Sequence, residues 1–259
     1  MTASTAAGGL APRPGAAPRG RILLTQTAAE IRMTLRNGEQ LLLTLVIPLV
    51  LLVGLSKLPE SVVGHSPAID AVAPGILALS VMSTAFTGQA IATGFERRYG
   101  VLRLLGSTPL GRSGLLVAKT LGVLAVEAVQ VVLVSAVAFA LGWSPMGNPV
   151  AAVVLLVLGT AAFSALGLLI AGTLRAEATL AAANAVYLLL LVVGGVVIPA
   201  DRLPSAVQPL VSALPSAALG QGLRDVLLHG EGLPLGAVGV LVVWAAVAGW
   251  ATARTFRWS

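Results

Sequence analysis

The stretch "FERRYGVLRLLGSTPLGR", Phe95–Arg112, carries four arginines and one glutamate between two long apolar runs. Upstream, residues 71–95 hold no charged side chain, and downstream residues 128–174 hold none. Each run is long enough to require a membrane or a large buried core, since a helix crosses a bilayer with roughly 20 apolar residues. A short basic segment between two such runs reads as a turn at the inner face of a membrane, where arginine accumulates.

Composition agrees with that reading. The 259-residue chain is 57% hydrophobic and only 10% charged, with a mean hydropathy of +0.95, whereas soluble domains carry about 25% charged residues. No water-soluble fold of this length hides so much apolar surface, so the chain is read as an all-α integral membrane protein. The dominance of alanine, valine, leucine and glycine reads as the codon bias of a GC-rich bacterium. Cysteine is absent, which excludes disulfides, thiolate catalysis and cysteine-ligated metals. The net charge of +6 follows membrane topology and not nucleic acid.

Six membrane-spanning helices are predicted, at about 40–56, 71–94, 113–141, 150–173, 178–199 and 233–253. The long charge-free run divides at "GWSPMGNP", Gly142–Pro149, where two prolines and two glycines interrupt it. With the N-terminus inside, thirteen basic residues fall on the inner side and three, Lys57, Arg202 and Arg224, outside. The inner set includes Lys119, which can snorkel from the third span. That bias predicts both termini in the cytoplasm and the protein in the inner membrane. Residues 1–20 read as a disordered tail and 21–259 as one transmembrane domain. Arg21–Asn37 mixes Ile22, Leu23, Ile31, Met33 and Leu35 with Glu30, Arg32 and Arg36. It reads as an interfacial amphipathic helix, and equally as the charged flank of the first span. Apolar pieces separated by Pro204 and Pro215 predict short outer-leaflet helices before the last span.

Within Phe95–Arg112, Gly100 and Gly106 bracket a short helix that would turn Val101, Leu104 and Leu105 toward lipid or a partner. Arg97, Arg98 and Arg103 would face phosphates or an acidic surface. Thr108-Pro109 reads as an N-cap followed by proline at the first helical position, starting the third span.

The longer stretch "FERRYGVLRLLGSTPLGRSGLLVAKTL", residues 95–121, resembles the segment between the second and third spans of ABC-2 type transporter permeases. The matching residues are Glu96, Arg97, Gly100, Thr108, Pro109, Arg112 and Lys119. "PADRLPSAVQPLVSALPSAALGQGLRDVLLHG", residues 199–230, is similar to the family's segment before its last span, with Pro199, Leu203, Pro204, Pro215 and Arg224 in place. The family often has Asn before the later proline, where this chain has Leu214. The resemblance implies a permease subunit of an ATP-driven exporter, paired with a second permease subunit, as a homodimer or with a sister chain, and with separate ATP-binding subunits. It implies that Glu96, Arg97, Arg98, Gly100, Arg103, Thr108, Pro109 and Arg112 form the ATPase-coupling loop. ATP and Mg²⁺ would then sit on the partner, and this chain would bind no cofactor and no metal. Its other partner is membrane lipid. "SGLLVAKT", Ser113–Thr120, is the nearest approach to a phosphate-binding loop, but Ser113 and Ala118 stand where two glycines are required, so no ATPase site and no enzyme activity are expected.

Several polar residues fall inside the spans. Glu127 is costly at membrane depth, roughly 2.5–3.5 kcal/mol on an insertion scale, and Gln130 shares its face. Both read as lining a translocation path or fastening a helix interface. Ser83 and Thr87 form a mild polar stripe with Ser80, Thr84 and Gln89, read first as close-packing hydroxyls. Asn184 reads as helix glue first and path lining second. The cavity this implies is mostly apolar and would suit amphipathic cargo. Two rival functions remain, a non-transporting scaffold or assembly factor and an intramembrane hydrolase. The second is disfavoured because His65 and His229 both fall in outer loops, far from Glu127.

Overall fold

The computed structural model describes residues 17–59, 67–193 and 208–256. Most of the N-terminal tail, and with it Pro199 and Pro204 of the outer-leaflet motif, lies outside the described residues. The helices are α1 (Arg19–Arg36), α2 (Gly38–Leu55), α3 (Ala68–Arg98), α4 (Val101–Gly106), α5 (Gly111–Ala140), α6 (Pro149–Thr173), α7 (Ala176–Val193), α8 (Gln208–Ser212), α9 (Pro215–Leu227) and α10 (Leu235–Thr255). No strand occurs among the described residues. Five of these helices, α3, α5, α6, α7 and α10, are long and apolar enough to cross a membrane, whereas the apolar part of α2 is the shorter Thr44–Leu55.

Local chemistry sets the breaks. Asn148 caps α6 by accepting a hydrogen bond from the Val150 amide at 2.9 Å, and Pro149 occupies the first turn, where no amide proton is needed. The turn before it is tied down by the Met146 amide donating to the Leu227 carbonyl at 3.1 Å. Pro215 likewise occupies the first turn of α9, there without a side-chain cap. Between α3 and α4, Gly100 takes a φ of 78°, a left-handed conformation that only glycine adopts without cost. Thr108 does not cap the following helix. Its hydroxyl donates back to the Leu105 carbonyl at 2.6 Å, and α5 starts three residues later at Gly111. In α4 the deeply buried residue is Leu102, packed with Leu115 and Phe256, while Leu104 stands in the open. A six-residue helix has room for one inward anchor, and Val101 and Leu104 stay on its exposed side.

The bundle centres on α6, against which α10, α3 and α9 all pack. α9 is buried along almost its full length against the first half of α3, α6 and α10, and the Trp244 indole of α10 donates to the Ala213 carbonyl just ahead of it at 2.8 Å. α1 lies along α5. In a lipid solvent such contacts are selected by close packing and hydrogen bonds, because tails are as apolar as leucine.

One irregularity positions the polar groups. Met82–Gly88, in the middle of α3, is a π-helix. The wider turn aligns residues five apart. Thr84 and Gln89, which an α-helix at 3.6 residues per turn would separate by about 140°, both reach buried partners on the neighbouring helices α5 and α6. The segment is anchored by Phe86, packed edge-on against Phe163 of α6 with centroids 6.4 Å apart. π-turns inside α-helices concentrate at functional sites.

Candidate functional site

The basic end of the bundle, where α1, the C-terminal half of α3, α4, the first turns of α5 and the α6–α7 turn meet, holds the charged residues singled out above. Its centre is Lys119, 4% exposed. The ammonium group does not snorkel to a surface. It pairs with Glu30 of α1 at 2.9 Å and with Glu96 of α3 at 2.7 Å. The other Glu30 oxygen accepts from the Gln26 amide at 2.8 Å. Buried charge is tolerated only where it is paired and hydrogen-bonded, and here one ammonium ties three helices at one point. Backbone packing reinforces it: at Gly122 of α5 a side-chain carbon would stand 2.9 Å from the Glu30 β-carbon, so α1 can lie this close only over glycine.

The loop arginines make a second layer. Arg97 donates to the Leu174 carbonyl, and Arg98 pairs with Glu177. The C-terminal end of α3 is thereby attached to the turn between α6 and α7. These residues, with Gly100, Arg103, Arg175 and Ala176, surround a surface cavity of about 500 Å³. Arg112 falls in the first turn of α5, and Thr108 and Pro109 form the turn before it.

A larger cavity, about 750 Å³, opens beside the ion triad. Ser83, Thr87 and Asn184 line it, together with Glu30, Glu96 and Lys119. Glu127 and Gln130 do not. Glu127 is buried between α5 and α6, where the Thr160 hydroxyl donates to it. Gln130 accepts from Thr84 at 3.0 Å and donates to the Thr44 carbonyl of α2 at 2.5 Å, fastening α2, α3 and α5. Nearer the basic end, Gln89 donates to the Ser164 hydroxyl at 2.8 Å, and Ser164 lies 2.8 Å from that of Thr120. Pro215 and Arg224 are both buried in α9, remote from the triad. Among the described residues no cluster of three or more histidine, aspartate or glutamate side chains could hold a metal ion.

Sequence reasoning missed Glu30, Arg175 and Thr160 and misplaced Lys119. The available signal for the first pair was arithmetic: Glu30 is the one acid of α1 and Lys119 the one base deep in α5, and isolated opposite charges on otherwise apolar helix faces seek each other.

Comparison with curated proteins gives no match to the chain. The family profile described as ABC-2 family transporter protein matches residues 61–254, from ahead of α3 to the end of α10. Multiple membrane-crossing helices, a basic end with a tied loop and this match agree, and the chain belongs to the ABC-2 transporter family as a multi-pass membrane permease of an ABC transporter.

Proposed function

We propose that the chain is the membrane half of an ATP-driven exporter of the inner membrane, with six spans, α2 being the first, and with both termini in the cytoplasm. Two permease subunits flank the export path. Two separate ATP-binding subunits, which hold ATP and Mg²⁺, dock on the basic end. The observation that carries this reading is the buried triad Glu30–Lys119–Glu96. Glu96 opens the 95–112 segment, Lys119 stands in the span that follows it and Glu30 belongs to the amphipathic N-terminal helix. A push on the loop therefore moves α1, α3 and α5 together and, through Arg97 and Arg98, the α6–α7 turn as well. Such a rigid linkage is what a membrane subunit without its own motor needs, because work arriving at one surface loop must reach several spans.

The test is co-expression of the chain with ATP-binding subunits from the same source, tag capture, and ATP hydrolysis in lipid nanodiscs. Arg97→Glu with Arg98→Glu is expected to insert normally and to lower permease-stimulated hydrolysis at least tenfold. Full stimulation by the double variant, or protease protection placing residues 95–112 on the far side of the bilayer, overturns the reading. A scaffold would capture no ATP-binding subunit at all.

A further inference from the structure

We propose that the 750 Å³ cavity beside the triad binds an amphipathic organic cation, with the Glu96 carboxylate supplying the counter-charge. Calling that ligand cargo rests on the exporter reading; the binding itself does not. Among the described residues the ionisable acids and bases of ordinary pH range in the lining are Glu30, Glu96 and Lys119, apart from the Tyr99 phenol. Two carboxylates face one ammonium, so the site holds one uncompensated negative charge. Both carboxylates use the same Lys119 Nζ. Gln26 takes the second oxygen of Glu30. Lys119 meets Glu96 at Oε2, and Glu96 lines the cavity. An excess negative charge on largely buried carboxylates is costly to keep, and a cation seated in the cavity offsets that cost.

The rest of the lining describes the rest of the ligand. A volume of about 750 Å³ falls in the range that accepts a drug-sized molecule, roughly 300–1,000 Å³. Phe95 and Tyr99, stacked with centroids 6.3 Å apart, both line the cavity, and aromatic rings attract organic cations. Ile91, Val123 and Val126 give an apolar wall for a hydrocarbon body. A bare divalent ion is a poor fit, since it needs six or more oxygen ligands in a dedicated shell and the described lining offers two carboxylates, both already shared with lysine. An anionic cargo meets repulsion.

Equilibrium binding of tetraphenylphosphonium and tetraphenylborate, ions of the same shape and opposite charge, to the purified chain in nanodiscs tests this, with empty nanodiscs subtracting lipid partition. The phosphonium is expected to bind at least tenfold more tightly than the borate. Glu96→Gln should cost at least tenfold in phosphonium affinity. Glu30→Gln, which removes the same net charge without touching the Glu96 oxygen, should do likewise, and it stands in if Glu96→Gln does not fold. Equal affinities for the two ions, or a phosphonium preference that survives both substitutions, overturns the proposal. Binding is read without any ATP-binding subunit, so this result and the exporter test fail independently.

Discussion

Lys119 and Glu127 stand eight residues apart on α5, about 12 Å along the helix, and both are buried to the same degree. Their surroundings differ in kind. Lys119 has two charged partners from two other helices, borders a cavity and sits under a close α1–α5 contact. Glu127 has one neutral partner, the Thr160 hydroxyl, and its other carboxylate oxygen has none. Burial alone therefore does not mark a structural charge. What separates the two is whether neighbouring elements have committed groups that lose their own partner when the charge is removed.

The largest effect that can break this contrast belongs to Lys119. Lys119→Met leaves Glu30 and Glu96 facing each other in a buried site, and removing one partner of a buried ion pair costs about 3–5 kcal/mol. A lowered thermal midpoint in detergent should come with faster tryptic cutting at Arg21 and Arg32 of α1 as that helix lifts from α5. A variant as stable and as protected as the parent would show that the triad holds nothing together.

Gly122→Ala sharpens the same side of the contrast without altering charge. Its new methyl group would meet the Glu30 β-carbon at 2.9 Å, a backbone-proximal atom that cannot swing away. Overpacking of this kind costs about 1–3 kcal/mol. The effect should be confined to α1, read as faster amide exchange over Arg19–Arg36 with little change in α6 or α10. Uniform loosening of the bundle would mean that α1 is not a separable element.

The order and class of the helices were legible because lipid imposes one dominant rule, apolar runs of spanning length separated by charge. The 95–112 segment was legible because charge, glycine and proline cluster there. Other features carry no local signature. The π-turn at Met82–Gly88 contains no proline and only a terminal glycine, and the contact it makes through Phe86 is long-range, to Phe163 of α6. Glu30 and Lys119 are 89 residues apart, and a glutamate on an amphipathic helix reads as its wet face until another helix covers it. Arg97 and Arg175 belong to different turns, and only the fold brings them to one cavity. Thr108 misled because Thr-Pro signals a helix start in isolation, whereas here its hydroxyl closes the preceding turn.

The smallest effect is expected at Glu127, and it completes the comparison. The Thr160 hydroxyl has a single proton and two acceptors in reach, the Glu127 carboxylate and the Leu156 carbonyl at 2.8 Å. In Glu127→Leu that proton stays with Leu156, so no donor is orphaned. The substitution also deletes the carboxylate oxygen that lacks a partner. Replacing a buried polar group whose partner has an alternative is close to neutral, and the melting stability of Glu127→Leu should lie within about 1 kcal/mol of the parent. Glu127→Gln is the less favourable change, because its amide brings two donors to a site where the Thr160 hydroxyl oxygen can accept one, and an unsatisfied buried donor costs about 1–3 kcal/mol. The expected order, leucine above glutamine, inverts the usual ranking by similarity to glutamate. Should leucine unfold the bundle while glutamine is tolerated, Glu127 is holding a partner as Lys119 does, and the distinction between the two sites is lost.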